Sequence, residues 1–213
     1  MTKRKAVAIS LRALAVALFI ALPAAVISTK FPLWREQGGS GVAIGSGSLL
    51  LKFAKTIGKS NPNLQYSGQE ITPSTYNLCR INMFLHGISF DTFDIELGDT
   101  LTDPRHLNLA RAVRGFDAIV SNPPYSIKWE GEDNPILIND ERYSLAGILA
   151  PKSKADLAFT MHMLHHLSES GVASIVEFPG VLYRGGAEQK IRKYLLEHNA
   201  VDAVIQLPAN LFF

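Results

Sequence analysis

Two periodicities of apolar residues alternate along the chain from Val42 onward. Val42-Ala43-Ile44 predicts the end of a short strand running into the turn Gly45-Ser46-Gly47-Ser48. Leu49, Leu50, Leu51, Phe53, Ala54 and Ile57 then recur at helical spacing, and Gly58 is a natural stop. A second strand ends near Gln69-Glu70. Thr72-Pro73 marks a helix start, because proline's fixed φ and missing N–H suit the first helical position. That helix runs through Tyr76, Leu78 and Phe84 to Gly87. Phe93-Asp94-Ile95-Glu96-Leu97 and Phe116-Asp117-Ala118-Ile119-Val120 predict a third and a fourth strand, the latter apolar enough for a sheet interior. The polar stretch 126–154 exceeds ordinary connection lengths, which favours a lid or binding loop. A helix over about 155–168, a strand over 172–178, a helix over about 187–198 and a strand over 201–207 complete the pattern. Strands alternating with helices of this length predict an α/β fold with a doubly wound, mostly parallel sheet.

Residues 1–43 differ in character, so the expected division is an atypical leader over 1–43 and a catalytic-type domain over 44–213. Lys3, Arg4 and Lys5 precede an apolar stretch over 13–27 broken only by Pro23, the grammar of a secretory signal. Counted from Ala6 the run approaches membrane-spanning length, but Ser10, Arg12 and Pro23 weaken that reading. Gly38-Gly39-Ser40-Gly41 reads as a flexible junction. Three alternatives stand: an aberrant leader on a cytosolic enzyme, a membrane anchor or signal, and an ordinary buried helix. The remainder of the chain favours the first.

Composition narrows the function classes. With 213 residues, 47% of them hydrophobic and 19% charged, the chain is no disordered or collagen-like sequence. Its single cysteine, Cys79, excludes an internal disulfide and a Cys-rich zinc site, and is compatible with a reducing compartment. The 21 basic and 19 acidic residues leave a formal charge of +2, so any nucleic-acid contact is local or shared with a partner.

Three features carry chemistry. The glycines of Gly45-Ser46-Gly47 let backbone approach a ligand closely, and the following helix presents free N–H groups. Glu70, at a strand end further along the chain, is placed to accept hydrogen bonds from ribose hydroxyls, although a solvated strand end is the plain alternative. Asp99 ends the third strand at the same edge; it suits an adenine amino group or, equally, an Asx-type turn. The decisive segment is Ser121-Asn122-Pro123-Pro124-Tyr125 after the fourth strand. Two prolines fix φ and stiffen the loop, holding Asn122 and Tyr125 at the ligand edge. An amide oxygen and an outward carbonyl accept two hydrogen bonds, an exocyclic amine offers two donors, and an aromatic face stacks on the base carrying it.

Asn122-Pro123-Pro124-Tyr125 resembles the catalytic motif of N6-adenine DNA methyltransferases, and its surroundings resemble the modification subunit of type I restriction-modification systems. The stretches that carry this are 45–51, 68–70, 116–125, 154–167 and 180–192. The resemblance implies an S-adenosylmethionine-dependent, Rossmann-like methyltransferase domain, incomplete at both ends. It implies that Gly45, Ser46 and Gly47 line the S-adenosyl-L-methionine pocket, Glu70 holds the ribose and Asp99 sits by the cofactor adenine. Asn122 and the Pro123 carbonyl would bind the target N6 amine, with Tyr125 stacked on a flipped adenine. It further implies DNA as substrate, a specificity (S) and a restriction (R) subunit as partners, a cytoplasmic location without stable membrane association, and no metal. The family's glycine motif is normally preceded by Asp-Pro and a small residue, whereas Gly41-Val42-Ala43-Ile44 stands here. The missing acid implies weakened cofactor binding and, behind an unrelated leader, a frameshifted or truncated copy. Two rival functions follow: a non-catalytic remnant of the fold, and a methyltransferase acting on a protein glutamine amide or an RNA base.

The remaining candidates have plainer readings. His162, His165 and His166 share a helical face but lack a third ligand at metal spacing, which favours packing or surface roles. Arg184, Lys190, Arg192 and Lys193 form a basic cluster, by default a solvated face, alternatively one for DNA phosphate or a partner. Trp129 either touches the target base or pins the long loop, and Asp156 is expected to cap a helix rather than to act in catalysis.

Overall fold

The computed structural model describes residues 7–11, 39–57, 64–106 and 115–207. Seven strands form one sheet in the order β4-β3-β2-β5-β6-β1-β7. They are β1 (Val7–Leu11), β2 (Gly39–Val42), β3 (Tyr66–Glu70), β4 (Phe93–Leu97), β5 (Phe116–Ser121), β6 (Leu167–Glu177) and β7 (Val201–Gln206). β4, β3, β2, β5 and β6 pair in parallel; β1 pairs antiparallel with both β6 and β7. The helices are α1 (Ser48–Ile57), α2 (Pro73–Leu85), the short α3 (Pro135–Ile138) and α4 (Glu141–Ser144), α5 (Asp156–His166) and α6 (Ala187–Glu197). The expected doubly wound, mostly parallel α/β fold is therefore present.

Each face of the sheet has its own core. Ile119 of β5 belongs to a cluster with Leu157, Phe159 and Met163 of α5 and Ile191 and Leu195 of α6. Its neighbours Ala118 and Val120 belong to the other cluster, with Leu50 and Phe53 of α1 and Cys79 and Met83 of α2. Successive side chains of a strand point to opposite faces, so β5, apolar throughout its middle, is buried by helices on both sides.

Two expectations are corrected. Gly39-Ser40-Gly41, expected to be a flexible junction, is a central strand paired with β3 on one side and β5 on the other. Backbone hydrogen bonds from two neighbours compensate for the absence of side chains to pack. The division expected at residue 43 consequently falls directly after a strand of the sheet. Second, β6 begins at Leu167, so the preceding helix is shorter and the strand longer than the pattern predicted. Within residues 1–43, Val7–Leu11 pairs between β6 and β7. The apolar stretch 13–27 lies outside the described residues. Among those residues, no helix is long and apolar enough to cross a membrane.

Candidate active site

The carboxyl ends of β2, β3, β4 and β5 meet at one edge, around a cavity of about 610 Å³. Ala43, Gly45, Glu70, Asp99, Asn122, Pro123, Pro124 and Tyr125 all line it. Ligands of open parallel sheets bind at this edge, and the volume is that of a small-molecule site. Sequence positions from 43 to 125 thus converge on one space.

The β2–α1 turn is built by conformation. Ala43, Gly45 and Gly47 all have positive φ, at 49°, 56° and 80°. The Gly45 N–H donates to Glu70 Oε2 at 3.0 Å and the Thr72 N–H to Glu70 Oε1 at 3.0 Å, so one carboxylate ties β3's end to the turn. Gly47 is buried against α2, where a Cβ would lie 2.6 Å from Cys79 Sγ. Glycine is required there on two counts, φ and space. Cys79 is a buried free thiol whose pKa is pushed up to about 11 by burial and by Glu70. Asn82 Nδ2 donates to the Ser46 carbonyl at 3.0 Å. Ser46 and Gly47 do not line the cavity; they shape the turn that presents Gly45. Asp99 forms the Asx turn that was one of its two readings, Oδ1 accepting from the Leu101 N–H at 2.9 Å, while it also faces the cavity.

On the opposite wall, Asn122 is exposed, Pro123 buried and Tyr125 half-buried. The Tyr125 hydroxyl donates to Asn122 Oδ1 at 2.8 Å. Burial, and then the nearby Glu177, push the Tyr125 pKa up to about 12, so the hydroxyl stays a donor at neutral pH. Trp129 is both a wall and a pin: it lines the cavity, and its Nε1–H donates to the Pro151 carbonyl at 3.2 Å.

Several supporting residues were not legible in the sequence. Arg142, 4% exposed, donates to the Thr100 and Leu101 carbonyls at 2.9 and 2.8 Å and pairs with Asp140. It straps the long 126–154 segment to the Asp99 loop. Arg142 also donates to His162 Nδ1 at 3.0 Å, which requires that nitrogen to be unprotonated. Burial holds the His162 pKa well below the usual range, and it holds His166 at about 4. These histidines are packing groups, stacked with centroids 4.0 Å apart, and no metal-holding cluster occurs among the described residues. Asp156 does not cap its helix: Ala155 is the N-cap, and the Asp156 carboxylate instead accepts from Ser126. Arg184 is not on a solvated face but pairs with Asp156 and Glu188. Their signal lay in residues 154–192, where a buried partner cannot be recognised without knowing which loops meet.

The family model for N-6 DNA Methylase matches residues 23–213, nearly the whole chain and all of the cavity. The chain belongs to this family. It is 54% identical to the type I restriction enzyme MpnII methylase subunit of Mycoplasma pneumoniae, over 80% of this chain and 32% of that protein. It is 34% identical to the MjaVIII methylase subunit of Methanocaldococcus jannaschii, over 80% of this chain and 30% of that one. This N-6 DNA methylase domain therefore spans about a third of the length of these curated relatives. The crystal structure of a type I restriction-modification methyltransferase subunit from Streptococcus thermophilus superposes with a TM-score of 0.72 at 43% identity, covering 80% of this chain and 36% of that one. A class I S-adenosylmethionine-dependent methyltransferase from Listeria monocytogenes shares the fold alone, with a TM-score of 0.55 at 16% identity over 77% of this chain and 46% of that one.

Proposed function

We propose that this chain is the adenine-N6 methyl-transfer domain of a type I modification subunit, acting on DNA in the cytoplasm beside a specificity and a restriction subunit. The observation that carries the reading is that Asn122-Pro123-Pro124-Tyr125 shares one cavity with Gly45, Glu70 and Asp99. The residues fit S-adenosylmethionine: a glycine turn whose Gly45 lines the cavity with open space where a Cβ would stand, a carboxylate at Glu70 with lone pairs left for ribose hydroxyls, and Asp99 with a second oxygen for an amine. Bound there, it supplies an electrophilic methyl group. Asn122 Oδ1 and the Pro123 carbonyl accept the two N6 hydrogens and favour a tetrahedral, more nucleophilic nitrogen, while proximity supplies much of the remaining rate. The Tyr125 hydroxyl now on Asn122 Oδ1 yields to the incoming amine as its ring takes the base.

We retain the division into an atypical leader over 1–43 and a partial methyltransferase domain over 44–213, with β2 and the leader's β1 serving the sheet of the latter. One observation favours a second reading, a non-catalytic remnant: Gly41 ends the β2–β5 pairing where the family carries its acidic residue. Calorimetry with S-adenosylmethionine, on this chain and on Gly41→Asp/Val42→Pro, separates the two. Binding by both supports an active domain; binding only by the restored chain, about tenfold or more tighter for one charge-assisted hydrogen bond, supports a damaged copy. If neither binds and both are folded, the cofactor assignment falls.

A further inference from the structure

Directly after Tyr125 the backbone turns through Ser126 at φ 53°, a left-handed conformation that a non-glycine residue holds only when its surroundings impose it. What imposes it is an ion pair between a buried Asp156 and a partly buried Arg184. Asp156, 1% exposed, accepts the Ser126 N–H on Oδ1 at 2.7 Å; its Oδ2 accepts from Ser126 Oγ at 3.4 Å and from Arg184 Nη1 at 3.3 Å. Arg184 also donates to Glu188 Oε1 at 3.1 Å, and its guanidinium lies 5.0 Å from the Phe178 ring centroid. Arg192 holds the Arg184 backbone by donating to its carbonyl at 2.7 Å. Gly180 leaves room beneath, since a Cβ there would displace the guanidinium.

The charges close. Glu177, fully buried at the end of β6, has an unpartnered Oε2, with Thr160 donating to Oε1 at 3.0 Å. Burial, then Asp156 among other causes, raises its pKa well above the carboxylate range. One guanidinium then serves two carboxylates, Asp156 and Glu188. No part of this assembly lines the cavity.

We propose that Asp156 and Arg184 are positioning residues for methyl transfer: through Ser126 they fix the loop that aims Asn122 and Tyr125 at the target amine. This deepens the functional reading above and rests on it for its consequence in catalysis, though not for the clamp itself. A merely structural ion pair would affect cofactor and target edges alike; the clamp acts on the target edge alone.

The test compares Asp156→Asn, which keeps an oxygen for the Ser126 N–H, with Asp156→Leu, which does not, and with Arg184→Lys. On the chain alone, Ser126 amide exchange by NMR should be slow in wild type, within about tenfold of that in Asp156→Asn, and at least about 100-fold faster in Asp156→Leu, a hydrogen bond to a charged group being lost. Cofactor affinity by calorimetry should stay within about threefold in every variant. In methyl transfer with a co-expressed specificity subunit, kcat should fall at least about 100-fold in Asp156→Leu, at unchanged KM for the cofactor, and should be largely rescued in Asp156→Asn. A wild-type Ser126 amide that exchanges like an exposed loop overturns the clamp. So does an unchanged kcat in Asp156→Leu. If Asp156→Leu fails to fold, Arg184→Lys carries the same comparison, and equal losses of cofactor affinity and kcat there overturn the proposal. A wild-type chain that binds no cofactor overturns the functional reading, while the exchange pattern at Ser126 still decides the clamp.

Discussion

The two walls of the cavity are held by different physics. On the proposed cofactor side the shape is a matter of backbone: positive φ at Gly45 and Gly47, a single carboxylate joining two strand ends, and an Asx turn at Asp99. On the proposed target side a stiff Pro-Pro loop is anchored from behind by a largely buried network of side chains from α5, β6 and the segment before α6. Backbone turns are local and depend on a few residue types. Buried charges depend on partners distant in sequence, and removing one partner strands the other. The cofactor wall is therefore sensitive to added atoms and the target wall to lost charges. Arg142, strapped to both Thr100 and His162, joins them.

The strongest break in this comparison is Asn122→Ala. It removes an acceptor from the target wall only, and methylation should fall about 10²–10³-fold, as when one transition-state hydrogen-bonding group is lost. Cofactor affinity by calorimetry should not move. A parallel loss of cofactor binding would mean that the walls are one unit.

The seam between the walls is tested by pH. His166 has a folded pKa of about 4 against an ordinary value of 6.5, because burial disfavours its charge. Between those values the unfolded chain takes up a proton that the folded chain refuses, so stability falls as pH drops from about 6.5 to 4, by roughly 3 kcal/mol from this residue. His166→Leu should remove that share of the slope in urea unfolding. Glu177, with its raised pKa, contributes with the opposite sign in both proteins and drops out of the difference.

On the cofactor wall, Gly47→Ala adds a methyl 2.6 Å from Cys79 Sγ at a φ of 80°. It should cost about 2–4 kcal/mol in unfolding experiments and weaken cofactor binding. Placing it on a Cys79→Ala background should restore about 1 kcal/mol, the steric part, and leave the φ part. Additive effects would show that the thiol is not what the methyl meets.

The smallest effect is expected for Tyr125→Phe, which keeps the stacking ring and removes the hydroxyl now on Asn122 Oδ1. Target affinity should rise slightly or stay within about threefold, since one exposed neutral hydrogen bond is worth about 1 kcal/mol or less. Tyr125→Ala should lose far more. A Phe variant as weak as the Ala variant would place the importance of Tyr125 in its hydroxyl rather than in stacking.

How much was legible varies by residue. β4, the start of β5 and the proline-started α2 matched their patterns, because alternation, apolar runs and Pro73 are local signals. For β2 only the end, at Val42, read as strand; its glycine part read as a flexible junction, because glycines form no side-chain period. Asn122-Pro123-Pro124-Tyr125 was recognisable because proline stiffness and residue chemistry are written in four adjacent positions. Asp156 and Arg184 were visible but misread, as a helix cap and a solvated face, since nothing in their own neighbourhoods names Ser126 as their partner.

The sequence alone determined the alternation of strands and helices, the family, and the identities of most of the residues that line the cavity at the carboxyl edge of the sheet. Those follow from local propensity and from residue types at short spacing. The tertiary structure decided that Glu70 reaches the Gly45 turn, that Arg142 joins the long loop to Asp99's, and that the buried Asp156, paired with Arg184, stands behind Ser126. Such pairings are set by packing between residues 25 to 42 positions apart, because a buried charge is tolerated only where the fold brings its partner.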